Sequence, residues 1–373
     1  MSKYIIRNVP YIYGGIVPCC HVTSLRMILE HYGIKYSPSY LMNLCGFNYG
    51  FSYIREENLA VACPEFEPWD YMFYAAEKIG CKITFVKDKP WDETWELLKS
   101  YVAKDAPVYM PLLNMKSLWK TASAIPHVVV LCGYDEKKGL VMIHDPALGE
   151  IGEGIQYLSP NELPEGKSGS YAEFRIEDFR KACDLKGSPW EHFGKNALCV
   201  IKPPTERLSI SWAEVVDRNA KLTMGQVEET SKKPANRLFG PKGIIALADD
   251  LEKAFGLLKE PGNFFEVIRM LRIMTFTIGC SQRMDASAFV AGLAALTGSQ
   301  DLETASYYLR LTGLCYEQGL AQIDYIMHDQ SISQEALRKK LTRISEVLRR
   351  AAEYERKAGE NLSKGRLLTR LIA

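Results

Sequence analysis

The ten cysteines of this chain include no CxxC pair, which argues against a zinc knuckle or a thioredoxin-type redox site. No stretch approaches ~18 consecutive apolar residues, so no transmembrane helix is expected. The opening residues, MSKYIIRNVPYIYGG, lack the apolar core and small-residue cleavage site of a secretory signal. Irregularly spaced cysteines without such a signal read as reduced thiols, and a cytoplasmic location is expected. There is no P-loop, no dinucleotide fingerprint and no metal-ligand cluster, so no cofactor and no metal are implied. A net charge of +1 carries no nucleic-acid footprint, and no basic amphipathic segment stands out as a membrane anchor. No repeat of fixed period runs through the chain.

What remains is ordinary globular composition, 47% hydrophobic and 24% charged over 373 residues, enough for two domains. The first two hundred residues alternate helix and strand signals. Ser37-Pro38 opens a helix, Trp69 to Ile79 reads as a helix stopped by Gly80, and Trp91 to Ala103 is helical. Lys82 to Val86, Pro107 to Leu113 and Ala197 to Ile201 read as strands. Lys202-Pro203-Pro204-Thr205 breaks the pattern, which sets domains at 1–204 and 205–373. Beyond it strand signals vanish. Helical periodicity covers Ser211 to Ser231, Lys242 to Leu258, Phe264 to Ile278, Ala286 to Leu296, Leu302 to His328 and Gln334 to Leu362. The expected fold class is therefore α+β, an antiparallel-sheet domain followed by an all-α domain. The long last helix, rich in Arg and Lys, reads as a solvated face and offers a surface for a homodimer.

Chemistry concentrates in the first half. Val22, Leu25, Ile28, Leu29 and Tyr32 recur at helical spacing after Cys20, and Gly33 is a helix stop. A thiol at a helix start meets free N–H groups and the positive end of the macrodipole. About a hundred residues on, His127 opens one strand and Asp145 closes the next, across Gly133-Tyr134-Asp135. Cysteine, histidine and aspartate in that order are what a thiol nucleophile needs: attacking group, proton carrier and orienting acid. His21 points elsewhere on its helix, and His144 faces the opposite side of its strand from Asp145, so neither is the expected base. The N–H of Cys20 is one oxyanion donor. Candidates for a second are Gly14, Gly15 and the Asn114 side chain.

These residues resemble papain-like cysteine enzymes of the bacteriocin-processing, C39-like type. In that family the nucleophile opens a helix, Ser-Leu follows four and five residues later, and Tyr-Gly closes it; here these are Cys20, Ser24-Leu25 and Tyr32-Gly33. This spacing selects Cys20 over its neighbour Cys19. The family's histidine strand, Gly-Tyr-Asp turn and Asp-Pro match His127, Gly133 to Asp135 and Asp145-Pro146. A closer resemblance, over nearly the whole chain, is to the butirosin biosynthesis protein H family, which joins such a domain to a helical one. It is carried by the segment Asn43 to Tyr53, by Gly240 to Ala248 and by Arg283 to Phe289.

The resemblance implies an acyltransferase that moves an acyl group from an acyl carrier protein or coenzyme A thioester to a small-molecule amine, through an acyl-enzyme on Cys20. Tyr49, Phe51 and Tyr53 are candidates to line the acceptor pocket, with core packing as the alternative, and Arg283 is a candidate to bind an anionic part of the donor, with a salt-bridged interior arginine as the alternative. One departure concerns peptidase activity. C39-type proteases carry a glutamine about six residues before the nucleophile, where Gly14 stands here. Two other readings stay open: a cysteine peptidase or amidase with the same machinery, and a catalytically silent module that holds a peptide or carrier.

Overall fold

A computed structural model describes residues 2–13, 19–55, 59–63, 69–114, 117–118, 126–146, 169–186, 191–206, 208–226, 237–253, 261–329, 331–367 and 369. Packing divides the chain into two compact units, Met1–Leu41 with Glu67–Leu208, and Met42–Phe66 with Ser209–Ala373. The segment 42–66 thus packs with the helices, although in sequence it lies within the stretch 1–204 read as the first domain.

The first unit is an antiparallel sheet with helices packed on it. Its strands are β1 (Lys3–Ile5), β4 (Lys82–Val86), β5 (Val108–Asn114), β6 (Pro126–Asp135), β7 (Leu140–His144), β8 (Ala172–Arg175) and β9 (Leu198–Lys202). They run in the order β4-β9-β5-β6-β7-β8, with β1 also paired to β6. β6 is the spine, since it pairs with β5, β7 and β1. Its run of Val128, Val129, Val130, Leu131 and Cys132 is apolar at every position and wholly buried, the mark of a strand covered on both faces. Gly133 is required where β1 crosses it. A Cβ there would meet the Tyr4 carbonyl oxygen at 2.8 Å.

Helix α1 (Cys20–His31) turns Val22, Leu25, Ile28 and Leu29 inward and packs against β6 and β5. Gly33 ends it at φ +78, with its N–H donating to Glu30 C=O and Ile34 N–H donating to Leu29 C=O. That pair of bonds satisfies the last carbonyls in the usual glycine-terminated way. α2 (Pro38–Cys45) begins as its Ser-Pro start predicts, with the Ser37 hydroxyl accepting Tyr40 N–H at 3.1 Å. Helices α3 (Asp70–Lys78), α4 (Trp91–Val102) and α5 (Ile176–Cys183) complete the unit.

The second unit is helical: α6 (Trp212–Thr223), α7 (Gly240–Lys253), α8 (Pro261–Met270), α9 (Ile278–Thr297), α10 (Gln300–His328) and α11 (Gln334–Gly365). It also holds a small sheet, which corrects the expectation that strands end near residue 205. β10 (Arg237–Phe239) pairs with β2 (Ser52–Ile54), which pairs with β3 (Leu59–Val61). Three-residue strands are too short for a period-two pattern to register. Between α8 and α9 the helix widens into a π turn over Leu271–Thr277. The wider turn leaves Met274 C=O to accept Ala62 N–H at 3.0 Å, and Thr275 Oγ1 donates to Ala60 C=O at 2.8 Å.

The centre of this unit is a buried ion pair. Arg283 Nε donates to Glu355, and both side chains are fully buried. Its terminal nitrogens donate to the carbonyls of Asn48, Gly50 and Ala62. Arg283 therefore ties α9 and α11 to the segment 48–62. Removing one member of a buried pair strands the other charge, at a cost of about 3–5 kcal/mol. Arg283→Met is expected to lower stability by about that amount in urea denaturation followed by helical circular dichroism. Lys339→Ala, which breaks an exposed pair with Glu335, should change it by less than about 1 kcal/mol.

Candidate functional site

Cys20 is the first residue of α1 and is partly exposed, whereas Cys19 before it is buried. Cys19 supplies no capping side chain, and the first turn holds no acidic residue. The N–H groups of that turn are therefore not taken by a side-chain cap, and they favour negative charge beside the sulfur.

His127 stands at the start of β6, opposite Leu113 of β5. Asp145 directly follows β7, which is hydrogen-bonded to β6. Adjacent antiparallel strands thus bring together two residues eighteen apart in sequence: His127 Nε2 lies 2.6 Å from Asp145 Oδ1, both buried. The Cys20 side chain is close enough to the same imidazole to interact with it. With Nε2 engaged by Asp145, Nδ1 is the nitrogen left for the thiol.

Burial by itself would push the His127 pKa down. The Asp145 charge and hydrogen bond, followed by those of Cys20, outweigh it and raise the value to about 10. A second imidazole behaves oppositely. His21 is buried with Nδ1 bonded to the Tyr109 hydroxyl and its ring edge-on to Tyr71. Burial, and then the proximity of His127, hold its pKa down at about 3. At neutral pH His127 carries the charge and His21 does not.

The remaining expected site residues fall elsewhere. Asn114 ends β5 opposite Pro126, one position from the partner of His127. Gly14 and Gly15 lie outside the described residues. Tyr49, Phe51 and Tyr53 are interior residues of the second unit, as the core-packing alternative has them. Each is only 1% exposed. Tyr49 donates to Asn43 at 2.7 Å, Tyr53 donates to Asp250 at 3.0 Å, and Phe51 packs in the helical core. Arg283 takes the interior, salt-bridged alternative: its donors are committed to Glu355 and to three backbone carbonyls. The wiring of His144 on the far side of Asp145 carries no sequence signal, because its partners are backbone groups. Among the described residues no group of side chains is placed to hold a metal ion, and no helix is long and apolar enough to cross a membrane.

Burial pushes the thiols of Cys45 and Cys81 up to about 12 and 11, and those of Cys132, Cys183 and Cys199 higher still. Brief iodoacetamide treatment at neutral pH should therefore alkylate Cys20 ahead of these five, as read by peptide mass spectrometry. The rate at Cys20 should show an inflection near pH 10, where His127 loses its proton. Asp145→Asn removes the main raising cause and should move that inflection down. A raised histidine pKa stabilises the fold fully below its unfolded value of ~6.5 and loses that contribution as pH climbs through about 10. Wild-type stability should accordingly fall across that window by more than that of Asp145→Asn.

Residues 6–161, less than half of the chain, match the family model described as the Peptidase_C39 like family. No curated protein matches the chain. The matched stretch takes in Cys20, His127 and Asp145, and such a match is compatible with a cysteine-nucleophile enzyme. The chain carries a papain-like, C39-like N-terminal domain with an antiparallel sheet, followed by a helical region.

Proposed function

We propose that this protein is a cysteine acyltransferase, in which Cys20 takes an acyl group from a thioester and passes it to an amine. The observation that carries the reading is the relay itself. His127 is bonded to Asp145 at 2.6 Å, and Cys20 interacts with the same ring. An imidazole kept charged at neutral pH stabilises a thiolate, the attacking form of the nucleophile.

The cycle balances with these groups alone. The Cys20 sulfur attacks the thioester carbonyl, the bond to the donor sulfur breaks, and the donor leaves as a thiol with the proton from His127. Neutral His127 then accepts a proton from the incoming amine as its nitrogen bonds the acyl carbon. The Cys20 thiolate departs, and the imidazolium is regenerated beside it. Asp145 holds the ring in the required orientation throughout and offsets its charge. The N–H of Cys20, with a second donor from Gly14, Gly15 or Asn114, would bind the oxyanion; losing one such donor costs ~10²–10³ in rate.

The choice of thioester donor and amine acceptor rests on the resemblance to the butirosin biosynthesis protein H family, including Asn43 to Tyr53 and Gly240 to Ala248. The absence of glutamine at position 14 supports transfer over proteolysis. A peptidase or amidase is the second reading, favoured by the description of the matched family.

Single-turnover reactions separate the two. Incubation with an acyl-coenzyme A or acyl-carrier thioester should add one acyl mass to Cys20. Added amine should discharge that adduct much faster than water does. Discharge by water at the same rate, together with cleavage of peptide substrates, would make the protein a hydrolase. Cys20→Ala should abolish the adduct. Asp145→Asn should slow its formation on the order of 10³–10⁴-fold, less than His127→Ala does.

A further inference from the structure

His144 occupies the last position of β7, one residue before Asp145, and is fully buried. Both of its ring nitrogens are engaged. Tyr171 N–H donates to Nδ1 at 3.0 Å, and Nε2 lies 3.0 Å from the Val9 carbonyl. A backbone N–H can only donate and a carbonyl can only accept. The ring is therefore held as the neutral tautomer with its proton on Nε2. A second proton, on Nδ1, would confront the Tyr171 N–H, and burial pushes the pKa down in the same sense.

The same chain segments also grip Asp145. The Asp145 N–H donates to Gly169 C=O at 2.9 Å, and the Tyr11 hydroxyl donates to Asp145 C=O at 3.4 Å. Tyr11 and Tyr171 stand edge-on to the His144 ring, at 5.6 and 4.3 Å between centroids. The Tyr171 hydroxyl donates to Ile6 C=O at 2.7 Å. Three segments, residues 6–11, 144–145 and 169–171, are thus cross-linked around one imidazole. Tyr171 sits at φ +47, a conformation that costs a bulky residue energy and persists only where its surroundings impose it. Its N–H, ring and hydroxyl are all held here.

We propose that His144 is a positioning residue of the relay: as a fixed neutral tautomer it clamps these three segments, and so sets the Asp145 carboxylate within hydrogen-bonding distance of His127. The clamp rests on the reading of Asp145 as the orienting acid. It differs from ordinary core packing in what it predicts, because a histidine that only fills space leaves the titration of His127 unchanged when it is replaced.

The test uses the full-length protein carrying His144→Leu, His144→Gln and Asp145→Asn, singly, and each His144 change combined with Asp145→Asn. The readout is the pH dependence of Cys20 alkylation by iodoacetamide. Titratable groups that bear on the His127 ring are Asp145, Cys20 and His21, and none is altered by the His144 changes. His144→Leu should move the inflection down from about pH 10 toward its position in Asp145→Asn. Combined with Asp145→Asn it should add little. His144→Gln, whose amide can still donate toward Val9, should fall between wild type and His144→Leu, and it carries the test if the Leu variant does not fold. An inflection that moves with Asp145→Asn but stays in place with the His144 changes overturns the clamp alone. Independent, multiplying effects of His144 and Asp145 overturn it equally. An inflection that Asp145→Asn leaves in place overturns the relay, and the clamp with it.

Discussion

The hydrogen bond between His127 and Asp145 is the interaction on which the proposed chemistry of this protein depends. A buried imidazole would ordinarily be neutral, because a low-dielectric interior penalises its charged form. His21, buried and bonded to the Tyr109 hydroxyl, shows that outcome. His127 differs by having a carboxylate at 2.6 Å. The same burial that suppresses charge on His21 strengthens the attraction between His127 and Asp145. One interior thus keeps two imidazoles in opposite states, and the charged one faces the thiol.

That bond is a product of sheet topology. Strands β6 and β7 are antiparallel neighbours, so the start of one lies beside the end of the other. The histidine and the aspartate are carried by those two ends. Helix α1 packs on β6 and β5 and brings its first residue, Cys20, to the same imidazole. The buried faces of Val128 to Cys132 and of Val22, Leu25, Ile28 and Leu29 hold these elements in place. Burial of each such side chain contributes roughly 1.5–3 kcal/mol.

Much of this was legible beforehand, for reasons tied to particular residues. Periodicity and a glycine stop marked α1. A continuous apolar run after His127 and an Asp-Pro after the next strand placed both ends of β6 and β7. The boundaries of Lys82–Val86 matched the expected strand. What was not legible came from long-range partners. Residues 42–66 join the helices because Arg283 bonds carbonyls at 48, 50 and 62, and no local pattern announces a backbone acceptor. Alternating Tyr49, Phe51 and Tyr53 look the same in sequence whether they line a pocket or fill a core. The π turn at Leu271–Thr277 answers to Ala60 and Ala62, two hundred residues away in the chain. The engagement of His144 by backbone groups was hidden for the same reason.

The most direct measurement is the charge on the His127 ring, followed by nuclear magnetic resonance of ring-labelled histidine with His127→Asn used for assignment. The account predicts an imidazolium at pH 8 that loses its proton near pH 10. A ring already neutral at pH 8, titrating near the ordinary ~6.5, would contradict it.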